Sequence, residues 1–173
     1  GLIISEEFGG SGADAVTLGI LMEALGRGLV VEPYLATAVV AAKLIDELGS
    51  EDQRKVLLEP ITAGQSIVAF AHVEDANAPL PREIETMACC DGDQWRISGQ
   101  KYMVFAAPWA DTLLVTARVS DDLHDRSSLR VFVVSATASG VRTSPYLLLD
   151  GSRAANIAFE NAPATLLGRN ENA

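Results

Sequence analysis

The sequence has 173 residues, 49% of them hydrophobic and 21% charged, a globular balance that sets aside a disordered chain and leaves enough length to bury a core. Its net charge of −10 offers no basic patch to neutralise phosphates, which argues against nucleic acid as a partner. No stretch is long and apolar enough to span a membrane, while an anionic small ligand stays possible because backbone N–H groups can hold phosphate on an acidic protein.

Gly9-Gly10-Ser11-Gly12 precedes the first helical pattern and lacks the Gly-Lys-Ser/Thr ending of a phosphate loop, so it reads as a flexible turn. Leu18, Leu21, Met22, Leu25 and Leu29 recur at helical spacing behind Asp14, a suitable N-cap, and Gly26 and Gly28 signal the stop. Pro33 opens a second helix, Tyr34 to Leu48, apolar on nearly every side until Lys43 and therefore expected between other helices. Gly49 is placed to end it in a left-handed conformation. Ser50-Glu51-Asp52-Gln53 is a capping box that starts a third helix, and Pro60 with Gly64 breaks that pattern.

After residue 64 the period changes to two. Ser66 to Glu74 reads as a strand, followed by a loop with Pro79 and Pro81. Ile84 to Cys90 leads into the hairpin signal Asp91-Gly92, and Trp95 and Ile97 alternate with polar neighbours up to Gly99. Lys101 to Phe105, Asp111 to Val119, Leu129 to Ser135, Val141 to Tyr146 and Ala154 to Glu160 continue the series. Helices first and many short strands afterwards predict an α+β chain whose second part is a barrel or sandwich.

Catalytic constellations are sparse. No Gly-x-Gly-x-x-Gly follows a strand, and Ser11 and Ser66 have no local histidine to activate them. Cys89 and Cys90 are adjacent on a strand, a poor geometry for a disulfide, and read as small buried hydrophobes in a reduced, cytoplasmic setting. His72 and His124 have no companion at metal-ligand spacing. Glu74 ends an apolar strand, either as a carboxylate bordering a cleft or as an acceptor for its own loop. His72 shares a strand face with Phe70 and Glu74, where it could touch a ligand or be a satisfied half-buried histidine. Tyr102, Met103, Phe105 and Trp109 read as core before cofactor wall.

Several local motifs in series resemble the acyl-CoA dehydrogenase family across almost all of the chain. Glu6-Glu7-Phe8-Gly9-Gly10-Ser11-Gly12 looks like the family's approach to a long helix, and Gly49-Ser50-Glu51-Asp52-Gln53-Arg54 like its turn between helices. Ala69-Phe70-Ala71-His72-Val73-Glu74 is similar to its Thr-Glu strand, and Trp95-Arg96-Ile97-Ser98-Gly99-Gln100-Lys101 to its Asn-Gly-x-Lys hairpin. Ala110-Asp111, Gly140-Val141, Phe159-Glu160-Asn161-Ala162-Pro163 and Leu166-Leu167-Gly168 follow in family order. The resemblance implies the later part of an N-terminal helical domain over 1–64 and a middle antiparallel β-barrel over 65–173 that binds flavin and acyl-CoA. The family's C-terminal four-helix domain, with its proton-abstracting glutamate, is absent from these residues. The chain thus reads as a piece of a longer protein, and as inactive by itself.

The implied activity is oxidation of an acyl-CoA thioester to the trans-2-enoyl-CoA in lipid β-oxidation, with FAD as cofactor and electron-transfer flavoprotein as onward partner. A flavin oxidase or monooxygenase of the same fold is a further alternative. Carried over residue by residue, the flavin-facing positions are Phe70, His72, Val73, Met103, Val104 and Phe105, and the substrate-facing one is Pro79. Val73 and Phe105 stand where the family has threonine, and Pro79 where it has serine, so hydroxyl contacts are lost. Arg27-Gly28-Leu29-Val30-Val31-Glu32-Pro33-Tyr34-Leu35-Ala36-Thr37 resembles the small subunit of heteromeric members such as pimeloyl-CoA dehydrogenase. That resemblance implies a homo- or hetero-oligomer, such as a tetramer with a second acyl-CoA dehydrogenase subunit, in which this chain could be a structural partner with a degenerate FAD site.

Overall fold

The computed structural model describes residues 1–74, 84–92, 94–121 and 125–168; Pro79 and His124 lie outside them. Asp14 caps the first helix as expected, its carboxylate accepting from the Thr17 N–H at 2.8 Å and the Thr17 hydroxyl at 2.7 Å. Helix α1 (Ala15–Arg27) follows; none of its residues is buried, the stripe residues Leu18, Leu21, Met22 and Leu25 are half-buried, and Val16 and Ile20 are exposed. The second helical run forms in two registers, a π-helix over Leu35–Ala41 and then α2 (Ala42–Leu48). A π segment of this length is uncommon. Buried Thr37 anchors it, donating its hydroxyl to the Val68 carbonyl at 2.9 Å.

Gly49 is not left-handed as expected; its φ of −69° and ψ of 146° are extended. Glycine is needed for space, since a Cβ there would lie 2.6 Å from the Ile45 carbonyl oxygen. The capping box of α3 (Glu51–Thr62) is complete: Ser50 Oγ accepts from Gln53 N–H at 3.3 Å, and Gln53 Oε1 accepts from Ser50 N–H at 3.1 Å. Gln53 also clasps the far end of the chain, donating to the Leu166 carbonyl at 2.7 Å and accepting from Gly168 N–H at 2.8 Å. Pro60 does not break α3, because in the last turn it removes only one donor and the helix runs on to Thr62. Gly64, at φ 68°, makes the turn instead.

Among the described residues the second part is a seven-stranded sheet of β1 (Val68–Ala71), β2 (Met87–Asp91), β3 (Gln94–Phe105), β4 (Thr112–Arg118), β5 (Leu129–Ser135), β6 (Val141–Leu147) and β7 (Arg153–Leu166). The order is β1-β4-β2-β3-β7-β5, β6 pairs with β7, and β5 returns to pair with β4. Most pairings are antiparallel, in keeping with the expected antiparallel sheet domain, while β1–β4 and β2–β4 are parallel. The cause sits at the starts of β1 and β4. Ile67 N–H donates to the Asp111 carboxylate and the Asp111 N–H to the Ile67 carbonyl, both at 2.9 Å, so the two strands begin side by side.

Gly99-Gln100-Lys101, which the hairpin resemblance marks as a turn, is the middle of β3, and β3 runs through two register shifts against β7. At the first, Gly99 has φ 152° and lies over Thr86, whose Oγ1 would be 2.5 Å from an added Cβ. At the second, between Lys101 and Val104, Met103 adopts φ 53° and resets which side chains face inward. One apolar core fills the sheet interior around Ile97, Val104, Leu113, Val115, Phe132 and Ile157. Another joins α2 and α3 to the outer side of β1 and β4 through Ala41, Ile45, Leu58, Val68 and Leu114. Cys89 and Cys90 are exposed, not buried, because both faces of the short strand β2 meet solvent at that end.

Candidate ligand cavity and buried lysine network

The π segment and the sheet enclose an open cavity of about 280 Å³. Leu35, Ala36 and Val40 form the helical wall, and Phe70, Phe105 and Trp109 form the sheet wall, with Glu32 and Arg153 also lining it. The lining is mostly apolar with few polar groups, the usual composition of a small-molecule site. Met103, Phe105 and Trp109 are 43%, 50% and 41% exposed, which overturns their reading as core. The bulge at Met103 is the reason: simple alternation from inward Lys101 would bury Met103 and Phe105, whereas the shift turns Val104 inward in their place.

Behind Phe70 lies a polar network. His72 stacks on Phe70 with ring centroids 5.4 Å apart and planes at 13°. Its Nδ1 is 3.0 Å from the Thr116 hydroxyl, which also accepts from Lys101 Nζ at 3.1 Å. Lys101 has no exposed surface and donates to Glu74 Oε1 at 2.6 Å and to the His72 carbonyl at 3.3 Å. Glu74 accepts further from Thr86 N–H at 3.0 Å and from Glu85 N–H, so it gathers β1, β3 and the lead into β2. Of its two readings, the acceptor of local backbone N–H groups fits this arrangement.

Burial pushes Lys101 down to about 8 against the opposing pull of Glu74. Burial raises the Glu74 carboxyl, but the charge of Lys101 and the hydrogen bonds from Lys101, Thr86 and Glu85 outweigh it and leave the group below its ordinary value. Burial, and then the charge of Lys101, lower His72, with Glu74 acting in the other direction.

Among the positions that the family resemblance marked, Phe70 and Phe105 share the cavity wall, and His72 adjoins it through Phe70. Val73 lies beyond β1 with its carbonyl accepting from Tyr102 N–H at 2.7 Å. Val104 is 1% exposed in the sheet core, so its side chain faces away from this surface. In the sequence Lys101 stands out only within a motif and Thr116 carries no signal of its own; the strand parity of Lys101 with buried Ile97 is what marks it as inward. The π segment had no signal beyond apolarity.

A flavin ring carries carbonyl oxygens and nitrogens that need donors along one edge. At Val73, Met103 and Phe105 the side chains offer none, and the Met103 N–H is already given to Asn156 Oδ1 at 3.2 Å. Phe70, Met103 and Phe105 suit the apolar face of such a ring, but among the flavin-marked positions only His72 carries a side-chain N–H for its polar edge.

Two family models match the chain: the acyl-CoA dehydrogenase N-terminal domain over residues 1–65 and the middle domain over 69–162. The probable acyl-CoA dehydrogenase YngJ of Bacillus subtilis is 28% identical over 97% of this chain and 46% of its own length. The human mitochondrial short-chain specific acyl-CoA dehydrogenase is 28% identical over 91% of the chain and 39% of its own length. Among solved structures, a variant of the Tcur3481-Tcur3483 steroid ACAD superposes with a TM-score of 0.83 at 30% identity, covering 97% of this chain and 44% of that one. The chain thus spans less than half the length of the curated relatives it matches. With both domain models matched in order across this fold, the chain belongs to the acyl-CoA dehydrogenase family.

Proposed function

We propose that the chain is part of an acyl-CoA dehydrogenase that oxidises an acyl-CoA thioester to the trans-2-enoyl-CoA, and that it belongs to a subunit whose own flavin face is degenerate. FAD, the family's cofactor, supplies the hydride acceptor in such enzymes and would be held by a companion subunit of a heteromeric assembly. The proton-abstracting glutamate belongs to the helical part of full-length members beyond these residues, and electron-transfer flavoprotein is the onward acceptor. This chain supplies the apolar wall that receives the acyl group, between Leu35, Ala36 and Val40 on one side and Phe70, Phe105 and Trp109 on the other.

The observation that carries the reading is an intact apolar cavity in which the flavin-marked wall positions Phe70 and Phe105 present only hydrocarbon, with exposed Met103 two residues before Phe105 on β3. The two-part name of the similar Tcur3481-Tcur3483 steroid ACAD supports a heteromeric assembly. Visible spectra of the full-length protein, purified alone and with the subunit encoded beside it, test the proposal. Flavin absorbance is expected only in the co-purified assembly. A yellow protein that reduces an artificial acceptor with acyl-CoA when purified alone overturns it.

A further inference from the structure

The Thr116 hydroxyl sits among three polar neighbours and has a single proton to give. It accepts from the Lys101 ammonium at 3.1 Å. Its own proton can go to the Ala71 carbonyl at 3.5 Å, the outer limit of a hydrogen bond, or to His72 Nδ1 at 3.0 Å. The shorter and better path runs to Nδ1. A donor proton on Nδ1 would instead leave the hydroxyl hydrogen with only the long contact, since Lys101 has no lone pair to accept it. A doubly protonated ring would set a second cation beside Lys101 in a half-buried site, with Glu74 already engaged by Lys101 and two backbone N–H groups.

We infer that Lys101 and Thr116 lock His72 as the neutral Nε2–H tautomer, and that this N–H, behind the lining residue Phe70, is a hydrogen-bond donor to a carbonyl oxygen of a ligand that extends from the cavity past that ring. Among the described residues Nε2 has no hydrogen-bond partner. The ring is held flat against Phe70, a cavity wall residue, so its orientation is fixed from both sides. Lys101 and Thr116 act as positioning residues and His72 as the binding one. A neutral donor beside an apolar wall, with Arg153 as a charged donor on the lining, suits a ligand that carries acceptor oxygens next to hydrocarbon, the chemistry of an acyl thioester. The ligand half of the inference rests on the acyl-CoA reading above; the tautomer half does not.

Two-bond 1H–15N spectra of the full-length protein with labelled histidine, assigned by loss of the His72 signals in His72→Phe, read the tautomer directly. The expected pattern is Nε2 protonated and Nδ1 bare, with a titration midpoint below the ordinary histidine value. Thr116→Val should release the ring to a tautomer mixture, and Thr116→Ser should restore the single form. A wild-type Nδ1–H pattern, or a Thr116→Val pattern identical to wild type, overturns the relay. Calorimetric titration with octanoyl-CoA tests the ligand half: His72→Phe, which keeps the stacked ring and loses the donor, should bind about tenfold more weakly. Unchanged affinity overturns the donor role. Wild-type protein that binds no octanoyl-CoA refutes the acyl-CoA reading and the ligand half together, leaving the tautomer result to stand or fall by its own spectra.

Discussion

A lysine with no exposed surface is tolerable only where its charge is matched, and Lys101 has Glu74 at 2.6 Å, the Thr116 hydroxyl and the His72 carbonyl around it. Removing one partner of such a pair leaves a buried charge uncompensated, so Glu74→Gln should cost about 3 kcal/mol in urea unfolding. Adding Lys101→Met to that variant should recover part of the loss, as a double-mutant cycle would register. A Glu74→Gln loss below about 1 kcal/mol would show that the pair is dispensable. The pH profile follows from the directions of the two shifts. Glu74, depressed in the folded chain, stabilises above the ordinary carboxylate range and loses that contribution as pH falls through it. Lys101, depressed to about 8, is neutral in the folded chain and still protonated in the unfolded chain between about 8 and 10.5, so its share of stability rises with pH across that window. In Glu74→Gln the acid-side loss should shrink and the alkaline rise should start below pH 8, both readable in unfolding midpoints from pH 4 to 10.

Two glycines at strand elements separate backbone freedom from space. Gly92, at φ 62° in the β2–β3 turn, has nothing within 4 Å of an added Cβ, whereas at Gly99 that atom would lie 2.5 Å from Thr86 Oγ1 and 2.8 Å from Thr86 Cα. Gly92→Ala should cost about 1 kcal/mol, the left-handed penalty alone. Gly99→Ala adds a steric overlap with backbone and should cost about 3 kcal/mol. Equal losses in urea unfolding would mean that Thr86 does not hold the first register shift of β3. The shift at Met103 decides the cavity wall: the extra residue of β3 there lets one strand bury Ile97, Lys101 and Val104 while turning Phe105 outward, whereas the extra residue at the first shift lies on β7. Strand alternation made the inward position of Lys101 legible in the sequence, but not the outward position of Phe105, since no residue pattern announces a bulge at a methionine.

At the scale of the molecule, α1 stands out among the described residues as an apolar helix with no buried residue: Val16 is 71% and Ile20 65% exposed. Uncovered apolar surface of this kind drives association. These 173 residues expressed by themselves should therefore self-associate, and Val16→Lys with Ile20→Lys should reduce it, as light scattering after size-exclusion chromatography would report. A monodisperse monomer from the unaltered sequence would refute the expectation.

Local chemistry carried much of the fold. Asp14 and the Ser50–Gln53 box set helix starts because their hydrogen bonds close within a few residues, and the change from helical to alternating period near residue 64 divides helices from strands. The ordered motifs from Glu6 to Gly168 already pointed to the family. Tertiary structure alone decided the rest. Parallel pairing of β1 with β4 depends on Asp111 meeting Ile67 across 44 residues. The cavity depends on a π segment held by Thr37 to Val68, and the His72 relay on Lys101 and Thr116 arriving from two other strands. Each of these is a contact between distant parts of the chain, which periodicity and capping, acting over a few residues, have no means to encode.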